Sequence, residues 1–182
     1  DLDAEKEPDI FRAIRFGAVM ENVMYDEKRV ENYQDDSRTE NTRVTYTQDF
    51  IHNSVIPGKV GYPETIIILA KDFYGVLPPV ARLTPDQAVY YFLSGFSSNL
   101  FTKDDKTQIE SKFSFCFGSS FLTLRPNIYA EFFAQKIERH GTVSYLINTG
   151  WTGGSYGTGE RIPLKETRRI IDAILDGSIN NS

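Results

Sequence analysis

The chain has 182 residues, enough for a domain with a real core, since a chain of this size buries roughly 70% of its unfolded surface. Hydrophobic residues make up 40% and charged residues 25%, an ordinary balance for a globular protein. A net charge of -5 argues against non-specific nucleic-acid binding, and no apolar run approaches the ~20 residues of a membrane span. The single cysteine, Cys116, excludes an internal disulfide framework and fits a reducing compartment.

The first residue is Asp1, not Met, and no signal-peptide pattern follows, so a start inside a longer protein is expected. Pro8 followed by DIFRAIRF reads as a short helix, with Ile10, Phe11 and Ile14 on one face and Gly17 beyond its end. AVMENVMY, RVENY and TRVTYTQ, separated by turns at 26–28 and 34–37, suggest a small antiparallel section. TIIILA (65–70) is a continuous β-branched run, expected to be a strand covered on both faces.

Thr84, Pro85, Asp86 and Gln87 form a capping box with proline at the first helical position. Ala88, Tyr91, Phe92 and Gly95 are expected on the inner face of the helix that follows, and Tyr90 is placed in the core with them. The polar stretch 97–112, with Lys103, Asp104, Asp105 and Lys106 together, reads as an exposed, mobile loop. A helix is expected from Pro126 to His140, stopped by Gly141, then a buried strand at 143–148. A last helix begins at Pro163, places Leu164, Thr167, Ile171 and Ile174 on one face, and stops at Gly177. The alternation gives an α/β fold, a mixed sheet with flanking helices.

Chemistry concentrates in the strand, glycine loop and helix of residues 143–177. Glycines let backbone amides approach a phosphate, and a helix N-terminus favours anions. TGGSYGTGER nevertheless fails the phosphate-loop pattern, because Glu160 and Arg161 follow Gly159 where lysine and a hydroxyl residue are required. On spacing alone the loop reads equally as a ligand loop or as a hinge. Arg161 could stack on a base and hold phosphate bidentately, or be a plain surface arginine. Arg43, in an alternating strand pattern, could face a cleft or solvent. His52 and His140 lack partners at metal-ligand spacing, and His140 suits a helix C-terminus. Cys116, between two phenylalanines with no base beside it, reads as a buried, inert thiol.

ENTRVTY (40–46), GVLPPVARLTPDQAVYYFLSGF (75–96), SFCFGSSFLTLRPNIYAE (114–131) and NTGWTGGSYGTGERIPLKETRRIIDAILDGSI (148–179) together resemble the ATP-dependent phosphoenolpyruvate carboxykinases. The set is colinear and spans nearly the whole chain. The resemblance implies that residues 1–182 are part of the family's C-terminal, nucleotide-binding domain. It implies a reaction converting oxaloacetate and ATP to phosphoenolpyruvate, CO2 and ADP in gluconeogenesis, with Mg2+ and Mn2+, in the cytoplasm. By the same resemblance Glu7 is an acidic nucleotide-site residue, and Arg43 the catalytic arginine at the γ-phosphate and substrate. The resemblance likewise implies that Arg161 and Ile162 lie beside adenine and that Thr167 touches the nucleotide.

The phosphate loop, the metal ligands and a substrate-binding arginine are expected upstream, in the missing N-terminal half of the parent enzyme. The isolated chain is therefore expected to be inactive, and to expose faces that promote self-association, with a homo-oligomeric parent left open. Two departures stand out. LFTKDDKTQIESK (100–112) replaces the family's Gly-Thr-Glu-Arg lid, and ILAKDFYG carries Lys71 and Phe73 where smaller residues are usual. A non-catalytic nucleotide-sensing or interaction module is the competing reading. The family's GTP-using relatives are a weaker match, because RIPLKET resembles the ATP class.

Overall fold

The computed structural model describes residues 4–5, 7–35, 37, 42–103, 106–113 and 116–181. It divides into two compact units, residues 1–61 and 62–182.

The first unit opens with α1 (Pro8–Ala13), proline in its first turn and Glu7 at its N-cap. Its strands are short: β1 (Val19–Glu21), β2 (Met24–Tyr25), β3 (Glu31–Asn32) and β4 (Arg43–Thr45). β2 and β3 pair antiparallel, and this hairpin is nested in sequence between the antiparallel partners β1 and β4. The β2–β3 turn is built by Asp26, whose carboxylate accepts from the amides of Lys28 and Val30, both at 2.8 Å. The antiparallel section expected from the sequence is present.

The second unit is built on a three-stranded mixed sheet ordered β5–β9–β6. β5 (Thr65–Ala70) and β9 (Val143–Asn148) run parallel, and β6 (Val80–Leu83) runs antiparallel to β9. Central β9 is buried along nearly its whole length, with Leu146 1% and Ile147 0% exposed. Helices cover both faces. Ile68, Ala70 and Leu146 pack with Tyr91 of α2 (Pro85–Ser94), while Tyr145 and Ile147 pack with Ile170, Ile171 and Ile174 of α4 (Leu164–Leu175). α3 (Pro126–His140) lies against α2, where Phe92 and Phe133 stack at 4.8 Å.

The helix boundaries follow local chemistry. At the α2 start, Gln87 donates its amide to the Thr84 hydroxyl and returns its side-chain oxygen to the Thr84 amide. Gly95 and Gly141 end α2 and α3 in the left-handed conformation. His140 closes α3 and stacks on Tyr62 at 3.7 Å. Cys116 is wholly buried, and burial pushes its thiol pKa up, which keeps it protonated and inert.

Four expectations need correction. Residues 97–112 are not a loop: β7 (Phe96–Lys103) and β8 (Lys106–Phe113) form a regular antiparallel hairpin. Leu100 pairs with Ile109 and Thr102 with Thr107, so strand-forming residues scattered among the charges find each other in register. Asp104 and Asp105 lie outside the described residues. β5 is not covered on both faces, since Leu69 is 52% exposed on an edge strand of the sheet. Tyr90 is not core: it is 62% exposed and meets the ring of Tyr91 edge-on. Leu164, at the very start of α4, is exposed, because the helix packs through its later turns.

Candidate functional site

At the carboxyl ends of β5 and β9, two buried polar side chains tie the chain together. Asn148, wholly buried, accepts on its Oδ1 from the amides of Gly150 (2.8 Å) and Asp72 (3.2 Å). Its Nδ2 donates to the carbonyls of Trp151 (2.9 Å) and Leu77 (3.2 Å). Asp72, 1% exposed, accepts three amides on its carboxylate, from Tyr74 (2.8 Å), Val76 (2.7 Å) and Leu77 (2.8 Å). Charge-assisted bonds of this kind compensate the desolvation of a buried carboxylate. Asn148 stood out in the sequence only as the end of an apolar run, and Asp72 only as the residue retained between the departures at Lys71 and Phe73.

Onto this frame the glycine loop is strapped tightly. Trp151 donates its amide to the Asp72 carbonyl (2.7 Å), Tyr156 to Phe73 (2.8 Å), Gly159 to Ser155 (2.7 Å) and Ile162 to Gly150 (2.8 Å). A Cβ at Gly150 would overlap the Asp72 backbone, and one at Gly159 would overlap the carbonyls of Gly154 and Thr152. The loop is therefore held closely to the frame at Trp151, Tyr156, Gly159 and Ile162. Gly150 and Gly159 serve close backbone packing, and these four amides are already engaged within the chain.

What the loop builds is a wall. β10 (Trp151–Thr152) and β11 (Glu160–Arg161) pair antiparallel, with Trp151 directly opposite Arg161. Beyond them α4 begins, so Thr149, Arg161, Ile162, Pro163, Leu164 and Thr167 line a cavity of about 490 Å³. That volume lies within the range of about 300–1,000 Å³ that suits a small organic ligand. The lining combines an exposed guanidinium, apolar side chains and the positive end of a helix dipole, a combination suited to a flat aromatic group carrying negative charge. Thr167 is 6% exposed, and its hydroxyl donates to the Pro163 carbonyl at 3.5 Å, a long bond.

Arg161, Ile162 and Thr167 are thus brought together. Glu7 and Arg43 belong to the first unit. Glu7 caps α1 through its backbone carbonyl, which accepts from Phe11 at 2.9 Å. Arg43 faces Glu21 across the β1–β4 ladder, 3.6 Å away, both side chains being 62% exposed. It also lines a cavity of about 180 Å³ with Ile10, Ile14, Met20 and Tyr33. Burial, reinforced by Glu31, pushes the Tyr33 hydroxyl up to about 12, so it stays protonated and able to donate there.

Among the described residues no group of three or more His, Cys, Asp or Glu could hold a metal ion. His52 lines a separate surface cavity with Arg12, Arg15, Asp9 and Asp49. The donor set of the described residues does not fit Mg2+ or Mn2+. No helix of the described residues is long and apolar enough to cross a membrane.

A family model described as phosphoenolpyruvate carboxykinase matches residues 1–182. The chain belongs to the phosphoenolpyruvate carboxykinase family. It is 54% identical over 183 residues to the phosphoenolpyruvate carboxykinase (ATP) of Lysinibacillus sphaericus, covering 100% of this chain and 35% of that protein. The enzyme of the same name from Bacillus subtilis is 50% identical over 183 residues, again covering 100% of this chain and 35% of the relative. A Moorella thermoacetica phosphoenolpyruvate carboxykinase (ATP) 1 is 50% identical over 181 residues, covering 98% of this chain and 34% of the relative. The chain thus spans about a third of the length of the curated relatives it matches. The resemblance read from the four motif stretches holds across the whole sequence.

Proposed function

We propose that this chain forms the nucleotide-binding part of an ATP-dependent phosphoenolpyruvate carboxykinase. The complete protein would convert oxaloacetate and ATP to phosphoenolpyruvate, CO2 and ADP, a decarboxylating lyase reaction of gluconeogenesis in the cytoplasm. The observation that carries the reading is the convergence of Arg161, Ile162 and Thr167 on one ligand-sized cavity at the end of the central strand. The adenine lies between the Arg161 guanidinium and the apolar wall of Ile162, with the Thr167 hydroxyl toward the nucleotide. Cation–π contact and burial of the ring both favour binding there, the former by about 0.5–2 kcal/mol.

Arg43 is assigned to the γ-phosphate and the substrate side, and Glu7 to the nucleotide. In phosphoryl transfer the charge on the transferring oxygens is offset by positioned cations, so an arginine reaching them lowers the barrier electrostatically. Glu21 holds Arg43 loosely, 3.6 Å away at an exposed position, so exchanging it for phosphate would cost little. The bound divalent cations would neutralise phosphate charge, with ligands supplied by the rest of the protein.

With no phosphate-loop motif in the sequence and no metal-binding cluster among the described residues, the chain on this reading is inactive alone. A coupled assay for phosphoenolpyruvate formation, run with ATP, oxaloacetate and Mn2+, tests this. The isolated 182 residues are expected to give background rates and the full-length protein robust turnover. Metal-dependent turnover by the isolated chain would contradict the assignment of the missing machinery, and a full-length protein without turnover would favour a nucleotide-sensing module.

A further inference from the structure

The same wall carries a feature that the nucleotide contacts do not account for. Trp151 faces Arg161 across the β10–β11 ladder, and the Arg161 guanidinium carbon lies 5.7 Å from the centroid of the Trp151 ring, within cation–π reach. The indole is itself held in place. It stacks on Phe73 at 4.4 Å and 23°, and meets Tyr156 edge-on at 5.4 Å. Phe73 is 3% exposed, so the stack is anchored in the interior. The Trp151 backbone is fixed at both ends, its amide on Asp72 and its carbonyl on Asn148. Lys71 extends the stack, its ammonium 4.9 Å from the Phe73 ring. The two residues that the sequence marks as larger than usual for the family, Lys71 and Phe73, therefore both enter it.

We propose that Trp151, backed by Phe73, is a positioning residue that presets the Arg161 guanidinium for the nucleotide. An exposed arginine samples many rotamers, and ordering it on binding costs affinity. A flat, immobile ring beside the guanidinium narrows that sampling before the ligand arrives. The proposal rests on the assignment of Arg161 to the nucleotide and goes beyond it, since Trp151 is not among the residues lining the cavity.

The test is steady-state kinetics of the full-length protein carrying this chain, with Trp151→Phe, Trp151→Leu, Arg161→Ala and the Trp151→Leu/Arg161→Ala pair. Trp151→Leu is expected to raise KM for ATP about two- to thirtyfold, the range of one cation–π contact. The oxaloacetate KM and kcat should stay near wild type. Trp151→Phe, which keeps a ring, should change the ATP KM less than about twofold. The double variant should match Arg161→Ala alone, because Trp151 acts only through the arginine.

If Arg161→Ala raises the ATP KM while Trp151→Leu does not, the positioning role is overturned and the nucleotide site stands. Equal effects of Trp151→Phe and Trp151→Leu overturn it too, since only packing would then matter. An unchanged ATP KM in Arg161→Ala overturns the site assignment itself. Should Trp151→Leu fail to fold, the tryptophan emission present in wild type and absent in Trp151→Phe serves instead. Arg161→Ala should alter that emission and abolish its response to ADP, and an emission indifferent to both rejects the proposal.

Discussion

The two units of the chain stabilise themselves by different means. In residues 62–182 the core has two clusters: β9 packs with α2 in one and with α4 in the other, and Asp72 and Asn148 lock the strand ends. In residues 1–61, Ala13 is the one apolar residue buried among those described. Its strands are two or three residues long, and Phe16, Val19, Val30, Val55, Ile56 and Val60 all stand more than half exposed. Hydrophobic burial, at about 25 cal/mol per Å² of apolar surface, therefore stabilises the second unit far more than the first. The difference separates a unit built on a buried central strand from one whose apolar residues are mostly exposed.

The largest expected effect lies in the scaffold. Asp72→Ala strands three part-buried amide donors at once, and with about 1–3 kcal/mol as the ceiling for each unsatisfied group the cost is at most several kcal/mol. Urea denaturation followed by Trp151 fluorescence measures it, and a loss below about 1 kcal/mol would show that the lock is dispensable. In the first unit the most visible change is alkaline. The Tyr33 pKa is raised from 10.0 to about 12 on folding, so the native state holds the proton more tightly than the unfolded one. Its contribution to stability is complete below pH 10 and disappears as pH rises through about 12. Replacing Tyr33 with Phe should flatten the far-ultraviolet pH profile of the chain in that window, and an unaltered profile would remove Tyr33 from the account.

The smallest effect should come from Phe16, which is fully exposed. Phe16→Ser should leave stability within about 0.5 kcal/mol, the usual range for surface changes, while reducing self-association of the isolated chain in sedimentation experiments. A marked loss of stability would mean that the first unit has a core of its own after all.

Much of the scaffold was legible because its signals are local. The capping box at Thr84, the stops at Gly95 and Gly141, and the apolar runs at 65–70 and 143–148 each fix an element through nearest-neighbour chemistry. The β7–β8 hairpin was not legible, because its charges suggested solvent while its pairing depends on register across residues up to 17 positions apart, as for Phe96 and Phe113. Exposure of Leu69 and Tyr90 was missed for the same reason, since periodicity describes a strand or a helix but not what covers it. In the site, Arg161 and Thr167 were marked by motif, whereas the Asp72–Asn148 lock and the Trp151 platform join residues about 75 apart in sequence.

The nucleotide affinity of Arg161→Ala in the full-length protein, measured by calorimetric titration with ATP, tests the central claim most directly. Binding weaker by about tenfold or more is expected, the loss of one stacked, charge-assisted contact of ~1.5–3 kcal/mol, at an unchanged melting temperature. Unchanged affinity would contradict it and place the nucleotide elsewhere.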